Sequence, residues 1–253
     1  MNKPQLFLLH FAGGSRYSFE FMKAHLPGFE FIPLELPGRG RRLDEDLLKN
    51  FDQAVADLFA QCCAQLKSAE FLLYGHSMGT ILALKVAALL EQAGKPPLSV
   101  IVTGNPGPAI REKKERYRLG KAEFKEELRQ IGGMPEEVLE NDELFEFYAP
   151  ILKADFELIE SYDAGSLRPL RTPIYALMGS GEDNVEAIDN WKNYTSSRFQ
   201  SKVLTGNHFF IYEWAKELCN VIRSCYRAAT GWTLGPPFPP QACTTPLTIT
   251  NHD

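Results

Sequence analysis

One pentapeptide restricts the fold of this chain more than any bulk property. Gly75-His76-Ser77-Met78-Gly79 follows the apolar run Phe71-Leu72-Leu73-Tyr74 and precedes a long helical stretch over residues 80–91. Strand, sharp turn and helix in that order is the setting in which G-x-S-x-G forms a nucleophile elbow. The two glycines leave room for a strained turn residue whose side chain stands free at the end of a sheet, and that residue is Ser77. The plain alternative is a structural turn whose serine does no chemistry.

The rest of the chain supplies the sheet. Leu6-Phe7-Leu8-Leu9-His10 is apolar without alternation, as in a strand covered on both faces. Helical spacing over residues 17–26, a strand over 29–36, a helix over 47–66 and a further buried strand over 98–103 follow. Three strand-to-helix alternations point to a parallel sheet built from right-handed crossovers. The alternation resumes with a strand at residues 172–178 that ends in Gly179-Ser180-Gly181-Glu182-Asp183. Lys202-Val203-Leu204-Thr205 then leads into Gly206-Asn207-His208 and a last helix to about Ala228. The expected fold class is α/β, with a mostly parallel central sheet and helices on both faces. A chain of 253 residues with 44% hydrophobic content can bury one large core. Residues 1–230 therefore read as a single domain, and the Pro/Thr-rich residues 231–253, which lack periodicity, as a flexible tail.

Between residues 109 and 170 no strand-like run occurs. Helices are expected at 121–131, 135–139 and 142–162, the last capped by Asn141 and kinked or broken at Pro150. Leu144, Phe145, Phe147, Tyr148, Ile151, Leu152, Phe156 and Ile159 are more apolar surface than one helix needs for docking. The insertion therefore reads as a lid over Ser77, with Phe147 and Ile151 among its pocket-lining residues. A helical layer packed solidly on the core is the alternative.

Several function classes are disfavoured. The formal net charge of −5 argues against nucleic acid as a partner. No run approaches the length of a membrane span and the N-terminus lacks a signal-peptide pattern, so a soluble, cytoplasmic protein is expected, with no membrane partner. Five cysteines without metal-ligand spacing read as reduced, mostly buried thiols, so no metal site is expected.

A serine hydroxyl needs a base to take its proton, and the base needs a partner to fix its tautomer. In such a fold the order along the chain is Ser, acid, His. His208 follows one late strand and Asp183 the strand before it, so both should emerge at the same sheet edge as Ser77. Glu182, adjacent to Asp183, is the fallback acid, and Asp155 on the lid helix would depend on lid closure. His76 should turn away into the packing of the elbow, and His10 suits a structural or substrate-facing role. The backbone N–H of Met78 and one from the Phe11-Ala12 turn, that of Ala12, are the candidate oxyanion donors.

His10-Phe11-Ala12-Gly13-Gly14-Ser15, Leu36-Pro37-Gly38-Arg39-Gly40-Arg41, the elbow, Gly132-Gly133-Met134-Pro135, Lys153-Ala154-Asp155-Phe156 and Gly206-Asn207-His208-Phe209-Phe210 together resemble the type II thioesterases. These are stand-alone editing enzymes of nonribosomal peptide and polyketide synthetases, with an α/β-hydrolase fold. The resemblance spans roughly residues 5–228. Asn207 stands where the family commonly has a second glycine, and Asn184 where proline is common. The resemblance implies a Ser77-His208-Asp183 acyl-enzyme mechanism acting on thioesters held by the phosphopantetheine arm of acyl or peptidyl carrier proteins. No separate cofactor is implied. Phe11 and Phe209 beside the site are candidate substrate contacts. Arg39, Arg41, Arg42 and the basic run over residues 111–118, including Arg111 and Lys114, are candidate steering charges for an acidic carrier protein. A monomer is expected. The rival functions are a small-molecule serine carboxylesterase or lipase, and a non-catalytic binding module.

Overall fold

The computed structural model describes residues 3–110, 114–162 and 168–231. The expected tail and Arg111 lie outside them. Six parallel strands form one sheet: β1 (Gln5–Leu9), β2 (Glu30–Leu34), β3 (Phe71–His76), β4 (Val100–Thr103), β5 (Ile174–Gly179) and β6 (Phe199–Leu204), in the order β2-β1-β3-β4-β5-β6. Pro33 sits inside β2, where its missing N–H is tolerated because β2 is the edge of the sheet.

Successive residues of a strand face opposite sides of the sheet, and in the inner strands β1, β3 and β4 both sides are buried. Phe7, Leu9, Phe71 and Leu73 join one core with the helices α2 (Phe51–Gln65) and α3 (Met78–Gln92). Leu6, Leu8, Leu72 and Tyr74 join a second core with α1 (Glu20–Lys23) and α7 (Ala215–Thr230). That two-sided burial is why these strands read as continuous apolar runs. Removing one such side chain, as in Leu73→Ala, costs about 2–5 kcal/mol.

Between β4 and β5 lie α4 (Lys121–Ile131), α5 (Glu136–Glu140) and α6 (Asp142–Glu160), with a small core of their own around Phe124, Phe145 and Leu152. The Asn141 side chain accepts from the N–H groups of Glu143 and Leu144 at 3.0 and 3.1 Å, the expected cap of α6. Of the two outcomes expected at Pro150, a break does not occur: α6 runs through it without interruption. The proline lies on the exposed face, where the carbonyl it leaves without an N–H partner can face water. Two helices are shorter than their periodicity suggests. α2 begins where Asn50 caps it, accepting from Gln53 N–H at 3.0 Å. α1 is flanked by bonds of the i→i−3 type, such as Glu20 N–H to Tyr17 O and His25 N–H to Met22 O, which tighten the chain into turns.

The strand order reverses direction between β1 and β3. Chain leaving β1 crosses to one side, and chain entering β3 returns on the other. The crevice beyond the C-terminal ends of strands at such a switch point is where open α/β sheets bind ligands. The Phe11-Ala12 turn and Ser77 both open onto it.

Candidate active site

Ser77 follows β3 directly and caps α3, with φ 54° and ψ −119°. A non-glycine residue in this region costs of order 1–3 kcal/mol, tolerated only where the surroundings over-determine it. They do so here. A Cβ at Gly75 would lie 2.2 Å from Gly79 O, and one at Gly79 would lie 2.2 Å from Leu9 O. The turn closes only because both positions are glycine. Ser77 N–H donates to Thr103 O at 2.8 Å, and Thr80 Oγ1 donates to Ser77 O at 2.6 Å. The Ser77 hydroxyl makes no capping bond, so it is free for chemistry.

Ser77 and His208 line one cleft of about 900 Å³. His208 Nδ1 lies 2.7 Å from Glu182 Oε2, and Glu182 Oε1 accepts the Gly179 N–H at 2.6 Å. The carboxylate is nearly buried, with 6% of its side chain exposed, so it holds the imidazole in a fixed direction. An Nδ1–H donating to Glu182 leaves Nε2 as the basic nitrogen. Among the described residues Ser77 Oγ has no hydrogen-bond partner; the serine and the imidazole share the cleft without a closed contact.

Asp183, expected as the acid, is exposed at the rim of the cleft, and the adjacent Glu182 takes the place beside His208. At this turn the Glu182 side chain faces inward to His208 while that of Asp183 is left exposed. Asn184 follows in the left-handed region at φ 57°, a conformation closed to proline, so the departure from the family pattern has a backbone reason. Asn207, the other departure, accepts the Phe209 N–H at 2.9 Å and stabilises the turn that carries His208.

His76 is fully buried, and its ring lies 4.9 Å from the His208 ring. Its Nδ1 is 2.9 Å from Thr103 Oγ1, which itself lies 3.3 Å from Gly75 O and 2.9 Å from the Tyr74 hydroxyl. Among the described residues the Nε2 of His76 has no partner, and burial, followed by the neighbouring His208, pushes the His76 pKa well below 6.5. His76 is a neutral neighbour of the base rather than a competitor for its role.

On the opposite wall, the amides of Gly13 and Gly14 are taken by Asp155 Oδ2 at 2.8 Å and Phe11 O at 2.9 Å. The Ala12 N–H has no partner among the described residues, and Met78 N–H is one of the orphan amides that open a helix. Both residues line the cleft with Ser77. Two free amides beside a free hydroxyl at a helix N-terminus suit developing negative charge.

Residues 4–228 match the thioesterase domain family. The chain belongs to that family. This thioesterase is 32% identical to the gramicidin S biosynthesis protein GrsT of Aneurinibacillus migulanus over 216 residues, 83% of this chain and 84% of that one. Among solved structures it is similar to YbtT, a type II thioesterase from the yersiniabactin NRPS/PKS pathway, at 32% identity and a TM-score of 0.82, covering 90% of this chain and 94% of that one. It is also similar to ClbQ from the colibactin NRPS/PKS pathway, at 25% identity and a TM-score of 0.82, over 90% and 98% of the two chains. The resemblance carried by the sequence motifs therefore holds, and the α/β-hydrolase expectation with it. The protein is a thioester hydrolase of the serine type.

The expected substrate contacts fare unevenly in the thioesterase. Phe11 and Phe209 line the cleft and meet edge to face, their centroids 5.1 Å apart. Phe147 does not: it is 52% exposed on the outer face of α6 against Tyr148. Ile151 is buried but lies outside the cleft lining. The inner stripe of α6 is Leu152, Phe156 and Ile159, one helical face set by how α6 docks.

The steering charges need a larger correction. Arg39 is 3% exposed and forms a two-pronged ion pair with Asp155, at 2.6 and 2.8 Å, so it presents no charge to a partner. Arg42 is held by Asp57 and Glu45, and Arg116 by Glu127 and Glu160. Lys114 lines the cleft with 45% of its side chain exposed, 3.6 Å from Glu127. Arg41 is exposed. Among the described residues no group of three or more His, Cys, Asp or Glu is placed to hold a metal ion, and no helix is long and apolar enough to cross a membrane.

Proposed function

We propose that this thioesterase is a type II editing enzyme that removes acyl groups from the phosphopantetheine arm of carrier proteins in nonribosomal peptide or polyketide synthesis. The observation that carries the reading is Ser77, unpartnered on a strained elbow, in one cleft with an imidazole fixed by Glu182. The likeness to GrsT, YbtT and ClbQ supports the pathway class.

In this reading Ser77 Oγ attacks the thioester carbonyl while His208 Nε2 takes its proton, and the carbonyl oxygen, now anionic, is held by the N–H groups of Ala12 and Met78. Collapse breaks the C–S bond, and the departing thiolate takes the proton back from His208. Water then attacks the acyl-serine with His208 again as base, releasing the acid and restoring Ser77. Glu182 keeps Nδ1 protonated and stabilises the imidazolium throughout. The hydroxyl-to-imidazole bond forms when substrate fills the cleft, since such bonds are often long before a substrate binds. The lid stripe Leu152, Phe156 and Ile159 bounds the acyl chamber.

The test is mass spectrometry of carrier proteins loaded with different acyl groups, before and after enzyme. Wild-type protein should regenerate the free phosphopantetheine thiol, and Ser77→Ala should lose several orders of magnitude in rate. Hydrolysis of simple oxygen esters in preference to acyl carriers would make the protein a carboxylesterase instead.

A further inference from the structure

Asp155 lies on α6, in the helical insertion, yet it is fully buried and its contacts are on the body of the protein. Oδ2 accepts from Gly13 N–H at 2.8 Å and from Arg39 Nη1 at 2.6 Å, while Oδ1 accepts from Arg39 Nη2 at 2.8 Å. Arg39 Nη1 also lies 3.3 Å from Gly14 O. The pair thus grips Gly13 and Gly14, the two residues after Ala12, from the donor side and the acceptor side. On the same helix, Leu152 packs directly over Gly13, where a Cβ would meet it at 2.5 Å.

A buried ion pair is an inefficient way to stabilise a fold, because desolvation offsets most of its attraction and well-packed apolar residues often do as well. What such a pair supplies here, and an apolar pair would not, is an acceptor for Gly13 N–H. Without it that amide is free to compete with Ala12 or to rotate the turn. We propose that Asp155 is a positioning residue for the oxyanion hole: by holding Gly13 N–H it fixes the direction of the Ala12 N–H, so the lid helix sets the geometry of the catalytic turn. This rests on the functional reading above, in which Ala12 is an oxyanion donor. It also means that the Asp155 segment of α6 is tied to the body of the protein, through Arg39 and Gly13.

The experiment compares two variants that both remove the buried charges. Arg39→Met with Asp155→Asn keeps an acceptor for Gly13 N–H; Arg39→Met with Asp155→Leu does not. With acyl-carrier substrate, the leucine variant should show a kcat about tenfold or more below the asparagine variant at similar KM, because an oxyanion donor is worth up to about 10²–10³ in kcat. Its Ki for a trifluoromethyl ketone, whose adduct with serine carries the oxyanion, should rise by the same factor. Asp155→Glu forms the second arm, for use if the leucine variant does not fold. It keeps the charge beside Arg39, moves the carboxylate by one methylene and should lower kcat at unchanged KM. Equal kcat and Ki in the two double variants, losses that merely follow thermal stability, or wild-type kcat in Asp155→Glu would overturn the proposal. Ser77→Ala run in parallel separates the two readings: if it stays active the functional assignment fails, whereas an inactive Ser77→Ala beside an unimpaired leucine variant removes only the role of Asp155.

Discussion

Glu182 Oε2 lies 2.7 Å from His208 Nδ1, and the other oxygen of the same carboxylate is held by the Gly179 N–H. The side chain is thus fixed at both ends between a strand terminus and the base, which is the arrangement a tautomer-setting acid requires. Asp183, one residue on, is exposed.

The two carboxylates therefore separate on mutation. Glu182→Gln should lower kcat by about 10⁴-fold, the loss that follows when the orienting acid of such a triad is neutralised. Asp183→Asn should stay within about threefold of wild type. Steady-state hydrolysis of an acyl-carrier or short acyl thioester by both proteins decides it, and the opposite ranking would restore Asp183.

Backbone strain at Ser77 predicts a trade between stability and activity. Ser77→Gly removes the steric cost at φ 54° while adding the chain entropy of glycine, for a net gain of about 1 kcal/mol. In a protein of this size that is about 2–4 °C in Tm. Activity should vanish with the hydroxyl. Calorimetry showing a Tm below wild type would mean that the elbow is not strained.

Arg39 should behave as a core residue rather than a docking charge. Arg39→Met leaves Asp155 buried without its partner, at a cost of about 3–5 kcal/mol. Adding Asp155→Leu should recover part of that loss, less the cost of leaving Gly13 N–H without its acceptor, a coupling that urea denaturation of both variants would measure. A surface role predicts instead a negligible stability change and a salt-dependent loss of carrier binding.

His10 gives the fold an acid sensitivity. Its ring is buried beside Arg39, with Nδ1 2.9 Å from Phe11 O. Desolvation first, and the Arg39 charge second, lower its pKa from 6.5 to about 4. The unfolded chain therefore takes up a proton below pH 6.5 while the folded protein does not, so stability is complete above about pH 6.5 and falls as the pH drops towards 4. The difference corresponds to about 3 kcal/mol by pH 4. His76 adds to the loss in the same direction. His10→Gln should flatten the Tm-against-pH curve across this window, and an unchanged slope would exclude His10 as its source.

Much of the site is legible in the chain because its signals are local. Gly75, Ser77 and Gly79 encode the elbow by themselves: the two missing side chains are what the close backbone approaches require. Continuous apolar runs announce strands buried on both faces, and their alternation with helices fixes a parallel sheet whose C-terminal edge collects Ser77, Glu182 and His208. Tertiary structure decided what depends on direction and partnership. At an irregular turn no period tells which of two adjacent carboxylates points inward, so Glu182 and Asp183 were separable only in three dimensions. The charge of Arg39 reads the same in sequence whether it faces water or Asp155, 116 residues further on. Which stripe of α6 lines the cleft, Leu152 and Phe156 rather than Phe147 and Ile151, depends on the rotation at which the helix docks, and that is fixed by contacts with segments remote in the chain.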